Sequence, residues 1–175
     1  MKILNIGCGA NKITGAINVD INPAVEPDMT FDMTQGWPFE DQSIDRIYMF
    51  HVIEHVMGVF RWRLLYECNR VLVIGGQLLL SYPEFSKCYA NWKSNYKGLK
   101  NFWELCIFGR GLTEYDFHRA IMDTESVVKE LISAGFAIKK VFPEPNEDYN
   151  TVVYAIKDQS NGYEDSLRRL YGRHD

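Results

Sequence analysis

Residues 1–20, MKILNIGCGANKITGAINVD, decide how the rest of the chain is read. Ile3, Leu4 and Ile6 form a short apolar run that stops at Gly7-Cys8-Gly9, as a buried parallel strand does when its chain turns over the carboxyl edge of a sheet. Glycine permits backbone conformations and approach distances that a side chain forbids, so the turn is the expected seat of a ligand packed on the main chain. Eleven residues after Gly9, the second run Ile17-Asn18-Val19 ends in Asp20. A carboxylate at the tip of a second strand is where a ribose diol is held by two hydrogen bonds.

Further blocks follow in order. Asn22-Pro23 and Glu26-Pro27-Asp28 are loop punctuation, and Thr30-Phe31-Asp32-Met33 offers a small third strand. Trp37-Pro38-Phe39 leads into a fourth strand, Ile44 to Phe50, which ends in His51-Val52-Ile53-Glu54-His55. Phe60, Leu64, Leu65, Cys68, Val71 and Leu72 then recur at helical spacing, and Gly75-Gly76 precedes a fifth strand, Gln77 to Pro83. Asp123-Thr124 caps a last helix with Val127, Val128, Leu131 and Ile132 as its apolar stripe, ended by Gly135. Phe136 to Phe142 and Thr151 to Lys157 read as two final strands in an antiparallel hairpin.

These blocks resemble a class I S-adenosylmethionine-dependent methyltransferase of the small type 11 kind. The resemblance implies an α/β fold, a Rossmann-like, mostly parallel sheet with a reversed last strand, and S-adenosylmethionine as cofactor. It implies that Asn5, Gly7, Cys8, Gly9, Asp20, Ile21, Asp32, Met33 and His51 bind the cofactor, Asp20 at the ribose and Asp32 with Met33 at the adenine. Two positions depart from the family pattern: Asn5 stands in place of an acid and Asn11 in place of a third glycine. A parallel crossover takes about a dozen residues or more, so the short link from Gly9 to Ile17 predicts N-terminal crossovers trimmed to turns or loops.

Methyl transfer from a sulfonium asks chiefly that acceptor, methyl and sulfur be held in line with water excluded. A base near neutrality helps an oxygen acceptor, and His118, His51 and His55 are the catalytic candidates, with Glu54 orienting or binding. His118 is the first of these to test, because a histidine just ahead of a helix ending in Ala-Gly-Phe recurs in the methyltransferase group. Each histidine can equally serve as a buried hydrogen-bonding group. The expected reaction is methyl transfer to an O or N atom of a small molecule or glycan.

The 175 residues, 46% of them hydrophobic, predict one methyltransferase domain over residues 1–175 with material for a full core. Residues 84–120 stand out within it as an insertion after the fifth strand. Ten of the twenty-four aromatic residues lie from Tyr82 to Phe117, and Lys87, Lys93, Lys97, Lys100 and Arg110 face only Glu104 between Ser86 and Arg110. One reading is a cover for an anionic or aromatic acceptor. The other is a helical hairpin whose aromatics pack on the core and whose lysines are solvated.

Alternatives are weighed on the same residues. A net charge of −4 gives no global pull toward nucleic acid, the Asp/Asn-Pro-Pro-Tyr block of DNA base methylation is absent, and nucleic acid is not the expected partner. Cys8, Cys68, Cys88 and Cys106 are scattered without a CxxC pair, which predicts reduced thiols in the cytoplasm, and no apolar run approaches the ~18 residues of a membrane span. A nicotinamide dehydrogenase needs a third glycine where Lys12 stands. His51-x-x-Glu54-His55 is also a zinc peptidase pattern, but that reading needs the motif inside a helix. A non-catalytic or regulatory protein of the same fold is the remaining alternative, favoured by Asn5 and Asn11. The tail from Gln159 to Asp175, with Arg168, Arg169 and Arg173, reads as a frayed helix or a partner contact.

Overall fold

The computed structural model describes residues 1–158, so the expectation for the tail lies outside the described residues. Its strands are β1 (Ile3–Ile6), β2 (Ile17–Asp20), β3 (Met29–Thr30), β4 (Ile44–Phe50), β5 (Leu72–Pro83), β6 (Phe136–Glu144) and β7 (Glu147–Lys157). They form one sheet in the order β3-β2-β1-β4-β5-β7-β6. All neighbours run parallel except β7, which is antiparallel to both β5 and β6. The Rossmann-like sheet with a reversed last strand is therefore present.

The described helices are α1 (Gly58–Val71), α2 (Phe85–Lys93), α3 (Lys100–Phe108) and α4 (Thr124–Ser133). Leu64, Leu65, Cys68 and Val71 of α1 are buried in the core cluster with Leu4, Ile47 and Leu78 of the sheet. Phe60, expected in that stripe, is instead 43% exposed. Asp123 caps α4 by accepting from Ser126 N at 2.9 Å, and Val127 and Leu131 turn inward. Arg61 of α1 grips both oxygens of Glu130 on α4, at 2.9 and 2.7 Å, which pins the helices together.

No α-helix joins β1 to β2, β2 to β3 or β3 to β4, and a single 3-10 turn, Pro23–Val25, lies between β2 and β3, so the trimmed crossovers are found. Polar side chains do the joining. Asn18 is 6% exposed, and its Oδ1 accepts from Asn5 Nδ2 at 3.0 Å and from Ile13 N at 2.8 Å. Asp28 Oδ2 in turn accepts from Asn18 N at 2.7 Å and Nδ2 at 2.9 Å. Further along, buried Glu67 accepts from Trp37 N and from Arg70, each at 2.7 Å, and anchors the long connection into β4.

Three boundaries differ from the expectation. The third strand stops at Thr30, because Asp32 Oδ1 takes Thr34 N at 2.8 Å and Thr34 Oγ1 at 2.7 Å and closes a turn. The double glycine does not separate helix from strand: β5 starts at Leu72, directly after α1, and Gly75-Gly76 sits where the pairing jumps from Ile44↔Leu72 to Arg46↔Gln77. The β6–β7 joint is a two-residue turn with Asn146 at φ 68°. Among the described residues no helix is long and apolar enough to cross a membrane.

Candidate active site

The strand after β1 in sequence lies on one side of it, and β4 lies on the other, so the chain leaves β1 and β3 in opposite directions. Such a switch opens a crevice at the carboxyl edge of the sheet. A cavity of about 800 Å³ occupies it, walled by the Gly7–Gly9 turn, Asp20 and Ile21, Asp32 and Met33, and the ends of β4 and of the loop after α3.

At one end the main chain is bare. Gly7 has φ 63°, and a Cβ there would lie 2.3 Å from Val52 Cγ2. Gly9 has φ 49° with nothing within 4 Å of where a Cβ would sit. The first glycine is required by the protein's own packing, and the second leaves room for a ligand. Asp20 Oδ2 accepts from Gly9 N at 2.8 Å and Oδ1 from Asn22 N at 2.9 Å, which fixes the carboxylate on the cavity wall with lone pairs to spare. Bare turn, fixed carboxylate and room for a nucleoside together fit S-adenosylmethionine. Cys8 is buried, and its N donates to Val19 O at 3.0 Å. Asn5 is not on the wall: its Nδ2 binds Asn18 Oδ1 and Asn11 O, each at 3.0 Å, from beneath the turn.

Histidines gather at the other end. His51 caps β4 with φ 55°, an uncommon conformation for a side-chain-bearing residue, and its N donates to Ser81 O at 3.0 Å. Its imidazole lies between Glu54, at 3.4 Å, and Glu144, at 3.3 Å. Burial works to lower its pKa, but the two carboxylates outweigh burial and hold it at about 9. His55 lines the cavity, and its Nδ1 donates to Phe117 O at 2.9 Å. His118 meets His55 edge to face at 4.9 Å between centroids but is off the cavity wall, and burial pushes its pKa down. Glu54, between His51 and His55 in sequence, is 1% exposed.

The peptidase arrangement does not form. His51 ends a strand, Ile53–His55 is a 3-10 turn, and the two histidines fall into separate clusters, one with Glu144 and Glu147, the other with Glu54 and His118.

Residues 84–120 divide into two parts. Helices α2 and α3 form a hairpin seated on β7 through Trp103, whose ring lies 5.2 Å from that of Tyr149. Two of its lysines serve its own rings: Lys100 lies over Trp92 at 4.6 Å and Lys97 over Tyr96 at 5.1 Å. The loop after α3 is what reaches the cavity, with Arg110, Leu112, Tyr115 and Arg119 on the wall. The sequence did not reveal as supports of the site Asn18, Asp28, Glu144 or Asn150, whose Nδ2 donates to Glu144 Oε2 at 2.9 Å. Asn18 carried a signal, since an amide inside an apolar strand needs partners.

Residues 4–80 match the family described as Methyltransferase domain. The fold is that of class I methyltransferases. Similar solved structures extend the likeness over the whole fold. An S-adenosylmethionine-dependent methyltransferase from Methanosarcina mazei is 20% identical, with a TM-score of 0.64 over 89% of this chain and 92% of that one. Another from Archaeoglobus fulgidus is 16% identical, with a TM-score of 0.65 over 89% and 86%. A chain of the complex between the Haloferax volcanii Trm112 methyltransferase activator and a methyltransferase is 11% identical, with a TM-score of 0.64 over 93% and 84%. No curated protein matches the chain. The matched segment and the shared fold point to an enzyme of this type, with S-adenosylmethionine as the cofactor they imply.

Proposed function

We propose that the protein transfers the methyl group of S-adenosylmethionine to an O or N atom of a small-molecule or glycan acceptor in the cytoplasm. The observation that carries this is one continuous cavity with a bare glycine turn and a fixed carboxylate at one end and histidines and arginines at the other. When bound, the cofactor supplies an already activated methyl group. The protein's own residues then bind, orient and exclude water.

In this reading Asp20 holds the ribose hydroxyls, the Gly9 main chain meets the cofactor tail, and Ile21, Asp32 and Met33 flank the adenine. Asn5 and Cys8 act through the turn, by holding its shape. His51 borders the cofactor and acceptor as a cation, a poor state for a base. Proton handling at the acceptor falls to the His55 and His118 pair, whose rings are in contact. Arg110 is paired with Asp116 at 3.2 Å on the same wall, so Arg119 is the charge offered to an anionic acceptor, and residues 84–120 supply its cover through the loop after α3. The four cysteines are all free, in keeping with a reducing compartment.

The test is calorimetric titration with S-adenosylmethionine and S-adenosylhomocysteine, with NAD as control, followed by isotope transfer from labelled cofactor to a panel of phenols, amines and sugars. Micromolar binding of both sulfur compounds and label in an acceptor are expected. Folded protein that binds neither would overturn the reading.

A further inference from the structure

We propose that Glu54, His55 and His118 form a binding site for a divalent first-row transition-metal ion, zinc-like in its ligand preference, beside the cofactor cavity. One carboxylate oxygen of Glu54 and one ring nitrogen of each histidine lie within 4.8 Å of one another. Small rotations of the side chains close that spacing on an ion bound at about 2.0–2.2 Å.

Glu54 is the observation that points to a ligand. Its side chain is 1% exposed, and neither carboxylate oxygen has a hydrogen-bond partner. A carboxylate stripped of water without a partner costs several kcal/mol, so such a group is neutralised or holds a cation. His51 Nδ1 forms a salt bridge with Oε1 at 3.4 Å, long for a hydrogen bond, while its other nitrogen faces Glu144 at 3.3 Å, so Oε2 is left with neither a hydrogen bond nor a cation. The pocket around Glu54 otherwise offers imidazole nitrogen.

His55 is arranged as a ligand is. It gives its Nδ1 proton to Phe117 O at 2.9 Å. That carbonyl fixes the tautomer and leaves Nε2 with its lone pair, the outer-shell pattern of metal-bound imidazole. The main chain holds the three together, since Glu54 O accepts from Arg119 N at 2.8 Å and from Ala120 N at 3.1 Å and so ties the segment bearing His118 to the turn bearing the other two. Two imidazoles and one carboxylate favour a zinc-like ion over the hard cations magnesium and calcium, which take oxygen. His55 opens onto the cavity, which gives the ion an entry path. In the methyl-transfer reading the bound ion would replace proton handling by the two imidazoles, since it would hold an acceptor oxygen and lower its pKa; occupancy of the site does not rest on that reading.

The experiment is a Co²⁺ titration of untagged, chelator-treated protein followed by visible absorption, with Zn²⁺ as competitor and no cofactor or acceptor present. A ligand-field band that saturates at one ion per chain and is displaced by Zn²⁺ is expected. Affinity should fall at least about tenfold in His118→Gln and in Glu54→Gln, with circular dichroism and melting showing that each variant folds. X-ray absorption at the zinc edge of the wild-type protein reads two imidazole rings without any variant. Absence of a band from folded wild-type protein would overturn the site. So would binding that is lost in His51→Gln but kept in His118→Gln, which assigns the ion to His51, Glu144 and Glu147. If metal binds and no methyl transfer is found in any assay, the site stands and the proposed reaction falls.

Discussion

Asp20 reaches back over the glycine turn to the amide of Gly9, 2.8 Å from its Oδ2, so the acid that faces the cavity also shapes the loop beside it. Asp20→Asn keeps the size and removes the charge. A hydrogen bond to a charged group is worth about 1.5–3 kcal/mol, so S-adenosylmethionine should bind roughly ten- to a hundredfold more weakly. Calorimetry beside a thermal melt separates this from unfolding, and wild-type affinity in the variant would remove the ribose assignment.

The two glycines of the turn answer differently to alanine. At Gly7 a new Cβ meets Val52 at 2.3 Å in a left-handed backbone, so Gly7→Ala should cost on the order of 2–4 kcal/mol in urea unfolding. At Gly9 the space is open, and the strain alone costs about 1–2 kcal/mol. Gly9→Ala should therefore fold and lose cofactor affinity instead. Equal stability losses would show that both glycines serve only the fold.

Glu67 replaces a missing element. Its carboxylate joins Trp37 N to Arg70, and Glu67→Ala would strand the buried amide of Trp37 while Arg70 keeps Asp41 and the carbonyls of Phe39 and Trp37. The expected loss is on the order of 1–3 kcal/mol. Unfolding within about 0.5 kcal/mol of wild type would mean that the connection into β4 holds without it.

The cap of α4 gives a pH test. The hydrogen bond from Ser126 N lowers the pKa of Asp123 below its ordinary 3.8. A depressed carboxylate adds stability above its unfolded pKa and loses it as pH falls through the folded value. Asp123→Ala should cost about 1 kcal/mol near neutrality, and the gap between variant and wild type should narrow below the ordinary carboxylate range. A gap that stays constant with pH would mean that the charge plays no part.

What the sequence revealed was local. The turn at Gly7-Cys8-Gly9, Asp20 after the second strand and the missing crossover helices all follow from spacing within twenty residues, and each is found. The basic, aromatic character of residues 84–120 was legible, but its direction was not: Lys97 and Lys100 are taken up by neighbouring rings, and the arginines after α3 face the cavity. Glu144 reaching His51, and His118 reaching His55, depend on sheet order and on a loop tied to Glu54 O. Contacts between such distant stretches leave no periodic trace in composition or spacing.

The reversed strand has a consequence for how the chain is made. β5 pairs with β4 on one side, and its other edge is closed only when β7, the last described strand, slides in from Gln77↔Ile156 to Pro83↔Asn150. A nascent chain therefore carries the bare hydrophobic margin of β5 until residue 157 has cleared the ribosome. That interval is when the polypeptide is open to misassociation with other chains and to chaperone capture.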